Sequence, residues 1–234
     1  DALRASALIA LMYDCDAARA FDLWERALAN NPKLTEARVE YAGFGLCILR
    51  SEDARAVAEG ERAVADDPLN PVCASYHSVV LAVAGRFSDA IAQAQRSVAL
   101  DGQAFLGRLC LSMVYTFAGD VDNALHSSQV ALVMSGRNSQ VLAGMAALHS
   151  ARNDPDRAIA SHQELLARAA IDLVDPTWLA VSALGIGAVD EAMEHAFRAV
   201  EDRAPQQIWL VRRPGTEALH AHPRYPELRQ RMGI

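Results

Sequence analysis

The stretch GRFSDAIAQAQRSVAL, residues 85–100, is echoed 34 residues later by GDVDNALHSSQVAL, residues 119–132. Both stretches begin with a glycine, carry an acidic residue shortly before an alanine, and place a small residue seven positions after that alanine. The same spacing leads on to Asn153 and Gly187. A fixed period of this length indicates a repeat architecture in which each unit is one supersecondary element.

Small residues mark two places in each unit, where a pair of helices is expected to cross closely. The phase slips by two residues near RSEDAR (50–55), so that Pro32 and Pro68 are 36 positions apart. With that insertion the pattern covers six units, approximately 1–34, 35–70, 71–104, 105–138, 139–172 and 173–204. The predicted helix-packing residues are Ala20, Ala27, Ala56, Ala63, Ala90, Ala124, Ala131, Ala158, Ala192 and Ala199.

Each unit is predicted to form two helices. FLGRLCLSMVYTFA (105–118) repeats apolar residues at helical spacing up to Gly119, and DNALHSSQVALVMS (122–135) forms a second helix. A two-helix unit cannot bury its apolar face alone, so neighbouring units must stack. The sequence therefore predicts an all-α fold, an α-α superhelix of about six hairpins over 1–204. The tail 205–234 breaks the period and is expected to form a C-terminal capping helix.

The composition excludes several classes of protein. The chain has 234 residues, a hydrophobic content of 52% and a formal net charge of −7. This mild acidity argues against a nucleic-acid surface, which needs clustered positive charge. The longest apolar runs, ALIALM (7–12) and VVLAVA (79–84), are too short to cross a bilayer, and no signal peptide is visible. The chain begins inside the first repeat, and a further targeting or effector region is expected upstream.

The four cysteines are Cys15, Cys47, Cys73 and Cys110, and they form no CxxC or other close pair. Metal knuckles and redox motifs need closely spaced thiols, so both are disfavoured. Reduced structural thiols in a cytoplasmic compartment are the expectation.

The repeat resembles the tetratricopeptide repeat, which has a period of 34 and small residues at its eighth, twentieth and twenty-seventh places. The match in the fourth unit rests on Leu111, Ser112, Tyr115, Gly119, Ala124 and Ala131. The match in the first unit rests on Ala20, Trp24, Ala27 and Pro32. Arg108 and Gly60 depart from the pattern, because the family favours a large apolar residue and an aromatic residue there.

Two segments resemble a narrower group, the C-terminal repeat domains of bacterial multidomain signalling proteins. These segments are MYDCDAARAFDLWERALANNP (12–32) and HPRYPELRQRMGI (222–234), although Cys15 and His222 replace a usual tryptophan and aspartate. In that group the upstream parts are winged-helix transcription regulators, nucleotide cyclases or serine/threonine kinases. The resemblance implies a sensing or scaffolding module and leaves the effector unspecified.

In tetratricopeptide-repeat proteins the first helices of the units line a concave channel. Carried over place by place, the resemblance implies a partner-binding groove of apolar and aromatic residues: Tyr13, Val39, Tyr76, Val79, Leu106, Leu109, Met113, Phe117 and Trp178. The basic residues with which chaperone-binding members hold a terminal carboxylate are missing from these places. A groove for an amphipathic helix, a self-buried core, and a seat for an upstream domain or a second copy of the chain all remain open.

The sequence carries no motif of a known catalytic site. There is no GxSxG, HExxH or GxxxxGK[ST] motif, and GIGAVD from Gly185 lacks the third glycine of a dinucleotide loop. His220 and His222 form an HxH without an evident third ligand, so neither a metal nor a cofactor is expected. His149 and His162, with Glu164 nearby, are the only remote alternative for an enzyme.

We therefore expect a non-catalytic protein-interaction scaffold, whose partner is a protein, a peptide or an upstream domain of the same polypeptide. A homodimer remains open, and neither nucleic acid nor a membrane is an expected partner. A stand-alone adaptor or chaperone-like protein is the alternative within the same fold.

Overall fold

The computed structural model describes residues 2–234 as helices joined by short turns, without a β-strand in that range. The all-α fold of helical hairpins predicted from the sequence is confirmed. A 3-10 turn, Gln207–Leu210, precedes the last two helices. The helices are α1 (Ala2–Met12), α2 (Ala17–Asn30), α3 (Thr35–Glu40), α4 (Asp53–Asp66), α5 (Pro71–Val83), α6 (Phe87–Leu100), α7 (Phe105–Phe117), α8 (Val121–Met134), α9 (Ser139–Ala151), α10 (Pro155–Ala169), α11 (Pro176–Gly185), α12 (Val189–Glu201), α13 (Glu217–His220) and α14 (Tyr225–Arg231).

The helices fall into two compact units, an N-terminal unit that ends at Asp120 and a C-terminal unit from Val121 to Ile234. In the N-terminal unit α1 pairs with α2 and α5 with α6, while α7 packs on both α5 and α6. In the C-terminal unit α9 pairs with α10 and α11 with α12, α9 packs on α11, and α13 and α14 lie on α12. The division falls between the two helices of the fourth predicted repeat.

The turn inside each hairpin requires one residue with a positive φ angle. Gly85, Gly119 and Gly187 supply it at φ values of 77°, 73° and 79°, and Asn153 takes the equivalent place at 59°. Glycine is favoured there because a Cβ atom disfavours the left-handed region, which asparagine tolerates better than most residues. Cys15 and Ser51 adopt the same conformation, each at 54°. The period seen in the sequence is therefore a backbone requirement.

Polar caps explain where several helices begin. The Asn70 side chain accepts hydrogen bonds from the amides of Val72 and Cys73 at 2.9 and 3.2 Å. Asp154 and Asp175 cap α10 and α11 in the same way, and α5, α10 and α11 each carry a proline in the first turn. Such caps satisfy amides that have no partner within the helix, and proline loses nothing at that position.

The small residues predicted to pack helices lie in the interior of the structure. All ten alanines predicted to pack helices are buried, with exposed fractions of 4% or less. An alanine at a crossing allows the two backbones to come close, whereas a longer side chain would separate them.

The two-residue insertion near 50–55 is absorbed by a widened helix. From Tyr41 to Leu49 the helix α3 continues as a π-helical segment, and the amide of Arg50 bonds to the carbonyl of Gly45, five residues back. Each such hydrogen bond spans one residue more than an α-helical one, so the segment accommodates extra residues. Gly45 suits this segment because a Cβ atom there would make a tight contact of 3.0 Å with Cε1 of Phe21.

The missing aromatic at Gly60 is explained by a histidine from the next repeat. A Cβ atom on Gly60 would lie only 2.1 Å from Nδ1 of His77, so the imidazole occupies the space that a side chain would fill. His77 is 5% exposed, and its Nδ1 has no hydrogen-bond partner within residues 2–234. Burial lowers the pKa of His77 from 6.5 to about 4. Arg86 lowers the pKa further by a smaller amount, and Glu61 and Asp89 partly oppose the shift.

Lowering the pH from about 6.5 to 4 is expected to reduce the free energy of unfolding by about 2 kcal/mol through His77. The unfolded histidine binds a proton below pH 6.5, whereas the folded one stays neutral until about pH 4. Acid therefore favours the unfolded state within this window.

Urea unfolding at several pH values should show a pH dependence of the unfolding free energy that a His77→Leu variant reduces by about one proton. A His126→Leu variant, which changes an exposed histidine, should keep the wild-type slope. Equal slopes in all three proteins would contradict this role of His77.

Candidate partner-binding surface

The candidate surface consists of one face each of α5 and α7, which pack side by side in the N-terminal unit. On α7, Leu106, Leu109, Met113 and Phe117 recur every three or four residues and so share one helix face. One period earlier, the α5 positions Val72, Ser75, Val79 and Val83 are their counterparts. These positions of the two helices are called here the α5–α7 face; within it Ser75 is buried, and its Oγ lies 2.6 Å from Oγ of Ser97 on α6.

The α5–α7 face is apolar and only partly covered. Leu106, Leu109 and Phe117 are half-buried, whereas Val79 and Met113 are almost covered at 8% and 7% exposure. Tyr76, at the repeat position of Cys110, is half-buried and packs against the cluster of Val39, Ala63 and Cys73. Half-buried apolar side chains on a packed interior offer a partner both contact area and a rigid surface. Val72 and Val83 are also half-buried and were not predicted, although the repeat spacing points to them.

Three other residues of the predicted groove are placed differently. Val39 has no exposed surface and packs with Ala63 and Cys73, and Trp178 is only 5% exposed. These two side chains are interior and contribute almost nothing to a surface. Tyr13 is 56% exposed and follows the end of α1, outside the helical part of its repeat.

Arg4 forms an ionic cluster with two carboxylates, those of Glu40 and Glu36, near Tyr76. Nε and Nη2 of Arg4 donate to Oε1 of Glu40 at 2.9 and 2.6 Å, and Nη1 lies 2.8 Å from Glu36. Burial raises the pKa of Glu40, an effect that its bonds to Arg4 oppose. Burial also raises the pKa of Tyr76 well above its usual range, so the phenol stays neutral. The cluster thus holds one basic and two acidic side chains beside a neutral phenol.

The buried cysteines are poor nucleophiles. Burial raises the pKa of Cys73 to about 11 and that of Cys110 to about 12. At neutral pH almost all of these side chains are thiols, whereas thiolate is the reactive and metal-binding form. Within the described range 2–234, no group of three histidine, cysteine or acidic side chains is placed to hold a metal ion.

His162 is part of a buried chain of hydrogen bonds that the sequence did not predict. Its Nδ1 lies 2.8 Å from Oγ of Ser182, and its Nε2 lies 3.1 Å from Oε1 of Glu191. The residue types resemble a nucleophilic triad, but Ser182 has no exposed surface. A serine that no substrate can reach cannot act as a nucleophile, so we interpret this chain as a link between α10, α11 and α12.

The neighbourhood suggested for an enzyme does not assemble around His149 and His162. Glu164 bonds to Arg137 through two contacts of 2.7 and 2.6 Å. His149 is 7% exposed, and burial lowers its pKa. The Glu164 carboxylate is thus bonded to Arg137, and the carboxylate bonded to His162 is that of Glu191.

The histidines of the HxH sequence also have protein partners. Nε2 of His220 bonds to the carbonyl of Leu210 at 2.9 Å, and Nε2 of His222 lies 3.1 Å from Asp190. Nδ1 of His222 accepts a hydrogen bond from the amide of Arg224 at 3.1 Å. These contacts attach the cap to the rest of the C-terminal unit.

Comparison with solved structures identifies the fold. A tetratricopeptide repeat protein from Parabacteroides merdae ATCC 43184 has a TM-score of 0.64 and 13% identity, covering 99% of this chain and 83% of that one. TTC0263, a thermophilic TPR protein in Thermus thermophilus, has a TM-score of 0.58 and 20% identity, with 85% and 97% covered. A chain of the APC/C hetero-tetramer Cut9-Hcn1 has a TM-score of 0.64 and 15% identity, with 96% and 48% covered.

The chain thus has the fold of tetratricopeptide-repeat proteins. No protein-family model matches it, and no curated protein matches it in sequence. Of the helices in residues 2–234, none is both long and apolar enough to cross a membrane.

Proposed function

We propose that this chain is a non-catalytic protein-interaction module whose α5–α7 face binds an apolar segment of a partner protein. The observation that carries the proposal is the set of half-buried apolar side chains Leu106, Leu109, Phe117, Val72 and Val83 beside the nearly covered Val79 and Met113. Apolar side chains that a monomer leaves half-covered on one face are a common mark of an interaction site.

The partner segment that suits this face is an amphipathic helix. Two adjacent helices with side chains at three- and four-residue spacing leave a shallow groove, into which the apolar stripe of a third helix can settle. The flexible thioether of Met113 would permit close contact with different partners. Val39 and Trp178 are interior and are not part of the proposed surface.

The absence of catalysis is part of the proposal. The thiols of Cys73 and Cys110 are held protonated, and the hydroxyl of Ser182 is enclosed. The net charge of −7 supports a protein partner over nucleic acid. Four cysteines present as thiols are typical of a reducing compartment, which supports a cytoplasmic location.

The biological setting that we propose is the regulatory part of a bacterial signalling or transcription-regulatory protein. It rests on the resemblance of segments 12–32 and 222–234 to the C-terminal domains of such proteins. The same fold suits a stand-alone adaptor equally well. A chain of similar structure is part of a protein assembly, the APC/C hetero-tetramer Cut9-Hcn1. A coding region for an effector domain directly upstream would favour the first setting, and its lack would favour the second.

Binding at the α5–α7 face is tested by selecting ligands from a library of displayed random peptides. Peptides enriched on the wild type should carry apolar residues at three- and four-residue spacing. A Leu109→Glu variant should bind them at least about tenfold more weakly, because a carboxylate would be desolvated in the contact. Isothermal titration with the enriched peptides measures both affinities.

The matched control is Ala92→Glu, which adds the same charge at an exposed position of α6. It should bind within about twofold of the wild type, and both variants should keep the wild-type helical circular dichroism. Equal binding by Leu109→Glu and the wild type would refute this surface. If size-exclusion chromatography shows that wild type dimerises and Leu109→Glu does not, the face is occupied by a second copy.

A further inference from the structure

Arg213 lies in the C-terminal unit, in the segment between the 3-10 turn and α13. Its guanidinium carbon is 5.7 Å from the ring centroid of Trp178 on α11. Its Nη2 would be 3.3 Å from a Cβ atom placed on Gly144 of α9. Gly144 and Trp178 are 34 residues apart and occupy the same repeat position as Tyr76 and Cys110. The cap therefore extends an arginine onto the first helices of two successive repeats.

Within residues 2–234, this guanidinium has no counter-charge. Arg224 and Arg231, elsewhere in the same unit, face Glu194 and Glu201 at 2.5 and 3.2 Å. Nη1 of Arg213 is buried and has no hydrogen-bond partner, and no acidic group of the described chain is paired with it. Burial alone lowers the pKa of Arg213 to about 10, which leaves the side chain charged at neutral pH.

An uncompensated buried charge is costly for a folded protein, and a ligand of opposite charge removes that cost. The face of Trp178 supports the guanidinium from one side through a cation–π contact. Gly144 allows the guanidinium to lie close to α9, because a Cβ atom there would be only 3.3 Å from Nη2. Arg213 as a whole keeps partial exposure to solvent, although Nη1 is buried.

We propose that Arg213, Trp178 and Gly144 form a binding site for a carboxylate group. The planar fork of an arginine matches a carboxylate, which accepts two parallel hydrogen bonds from it. One cation beside an aromatic wall suits a singly charged acid with an apolar neighbour group, and a phosphate dianion would call for more positive charge. The carboxylate belongs to a small organic acid or to a peptide.

This site is separate from the α5–α7 face, since all of its residues belong to the C-terminal unit. Its test uses small acids as probes and does not depend on peptide binding to the N-terminal unit. Failure of either proposal therefore leaves the other intact.

The test follows the side-chain Nε–Hε resonance of Arg213 by NMR in the full chain, assigned by its loss in Arg213→Met. Phenylacetate should shift this resonance saturably at about 10 mM or below, while the neutral isostere phenylacetamide should not. Arg213→Met should weaken phenylacetate binding at least about tenfold. Arg229→Met, which removes an exposed arginine on α14, should bind like the wild type.

The melting temperature separates a binding arginine from a structural one. Arg213→Met should melt at or above the wild-type temperature, because an unpaired buried charge is removed. An Arg213 resonance that phenylacetate leaves unmoved would overturn the proposal, as would equal shifts by acid and amide. So would a fall of more than about 5 °C in the melting temperature of Arg213→Met.

Three peptides then distinguish the source of the carboxylate. One ends in a free carboxylate, the second is the same peptide amidated, and the third is amidated with an internal glutamate. A shift of the Arg213 resonance by the first alone assigns the site to chain termini, and a shift by the third assigns it to acidic side chains. If phenylacetate shifts the resonance and none of the three peptides does, the ligand is a small organic acid.

Discussion

Replacing Ala90 with arginine is expected to destabilise the N-terminal unit by about 5 kcal/mol, which is enough to unfold many domains. Ala90 has no exposed surface and lies on α6, which packs against both α5 and α7. The longer side chain would force the helices apart and bring an unpaired charge into the gap. Arginine is a good helix former, so the loss would come from packing and not from local propensity. Urea unfolding followed by circular dichroism measures the change.

The matched control is Ala92→Arg, two residues along the same helix at an exposed position. It makes the identical chemical change and should alter the free energy of unfolding by less than about 0.5 kcal/mol. If Ala90→Arg were as stable as this control, Ala90 would not lie at a helix crossing, and the repeat register would be wrong.

Replacing Gly185 with alanine is expected to cost about 3 kcal/mol in the C-terminal unit. A Cβ atom at Gly185 would lie 2.5 Å from the backbone nitrogen of Ala147 and 2.9 Å from the carbonyl carbon of Ala146. These are backbone atoms of α9 that cannot rotate away, so α11 must move. The hydrogen bond from Oγ of Ser150 to the carbonyl of Gly185, 2.5 Å long, would be disturbed as well. Thermal unfolding should show the loss.

Gly102→Ala serves as the comparison, because its new Cβ atom would meet only the carbonyl oxygen of Val98 at 3.6 Å. That substitution should be neutral or slightly stabilising, since it lowers the entropy of the unfolded chain. Equal melting temperatures for the two variants would show that α9 and α11 do not approach as closely as described.

The sequence alone predicted the elements that are repeated. The turn position is set by backbone sterics, so glycine or asparagine recurs there, and Gly187 was correctly attributed to a turn and not to a dinucleotide loop. The small residues at helix crossings follow from the same kind of local limit. Features set by the chain geometry within one hairpin recur at the repeat period, so they can be recognised in the sequence.

Features that depend on a single contact between distant segments produce no periodic pattern in the sequence. Gly60 is only a departure from the pattern in the sequence, and the structure explains it by placing His77 there. The bonds of His162 to Ser182 and Glu191 cross three helices, and nothing in the order of residues indicates them.

The sequence by itself determined the helical hairpins, their turns and their small packing residues, because each is a response to local steric limits that recur every 34 residues. Only the tertiary structure decided which inner residues remain half-exposed, as Leu109 does, and which are interior, as Val39 and Trp178 are. It also brought Arg213 against Trp178. Exposure and charge pairing depend on what neighbouring helices and the cap cover, and that is a property of the packed chain and not of any one repeat.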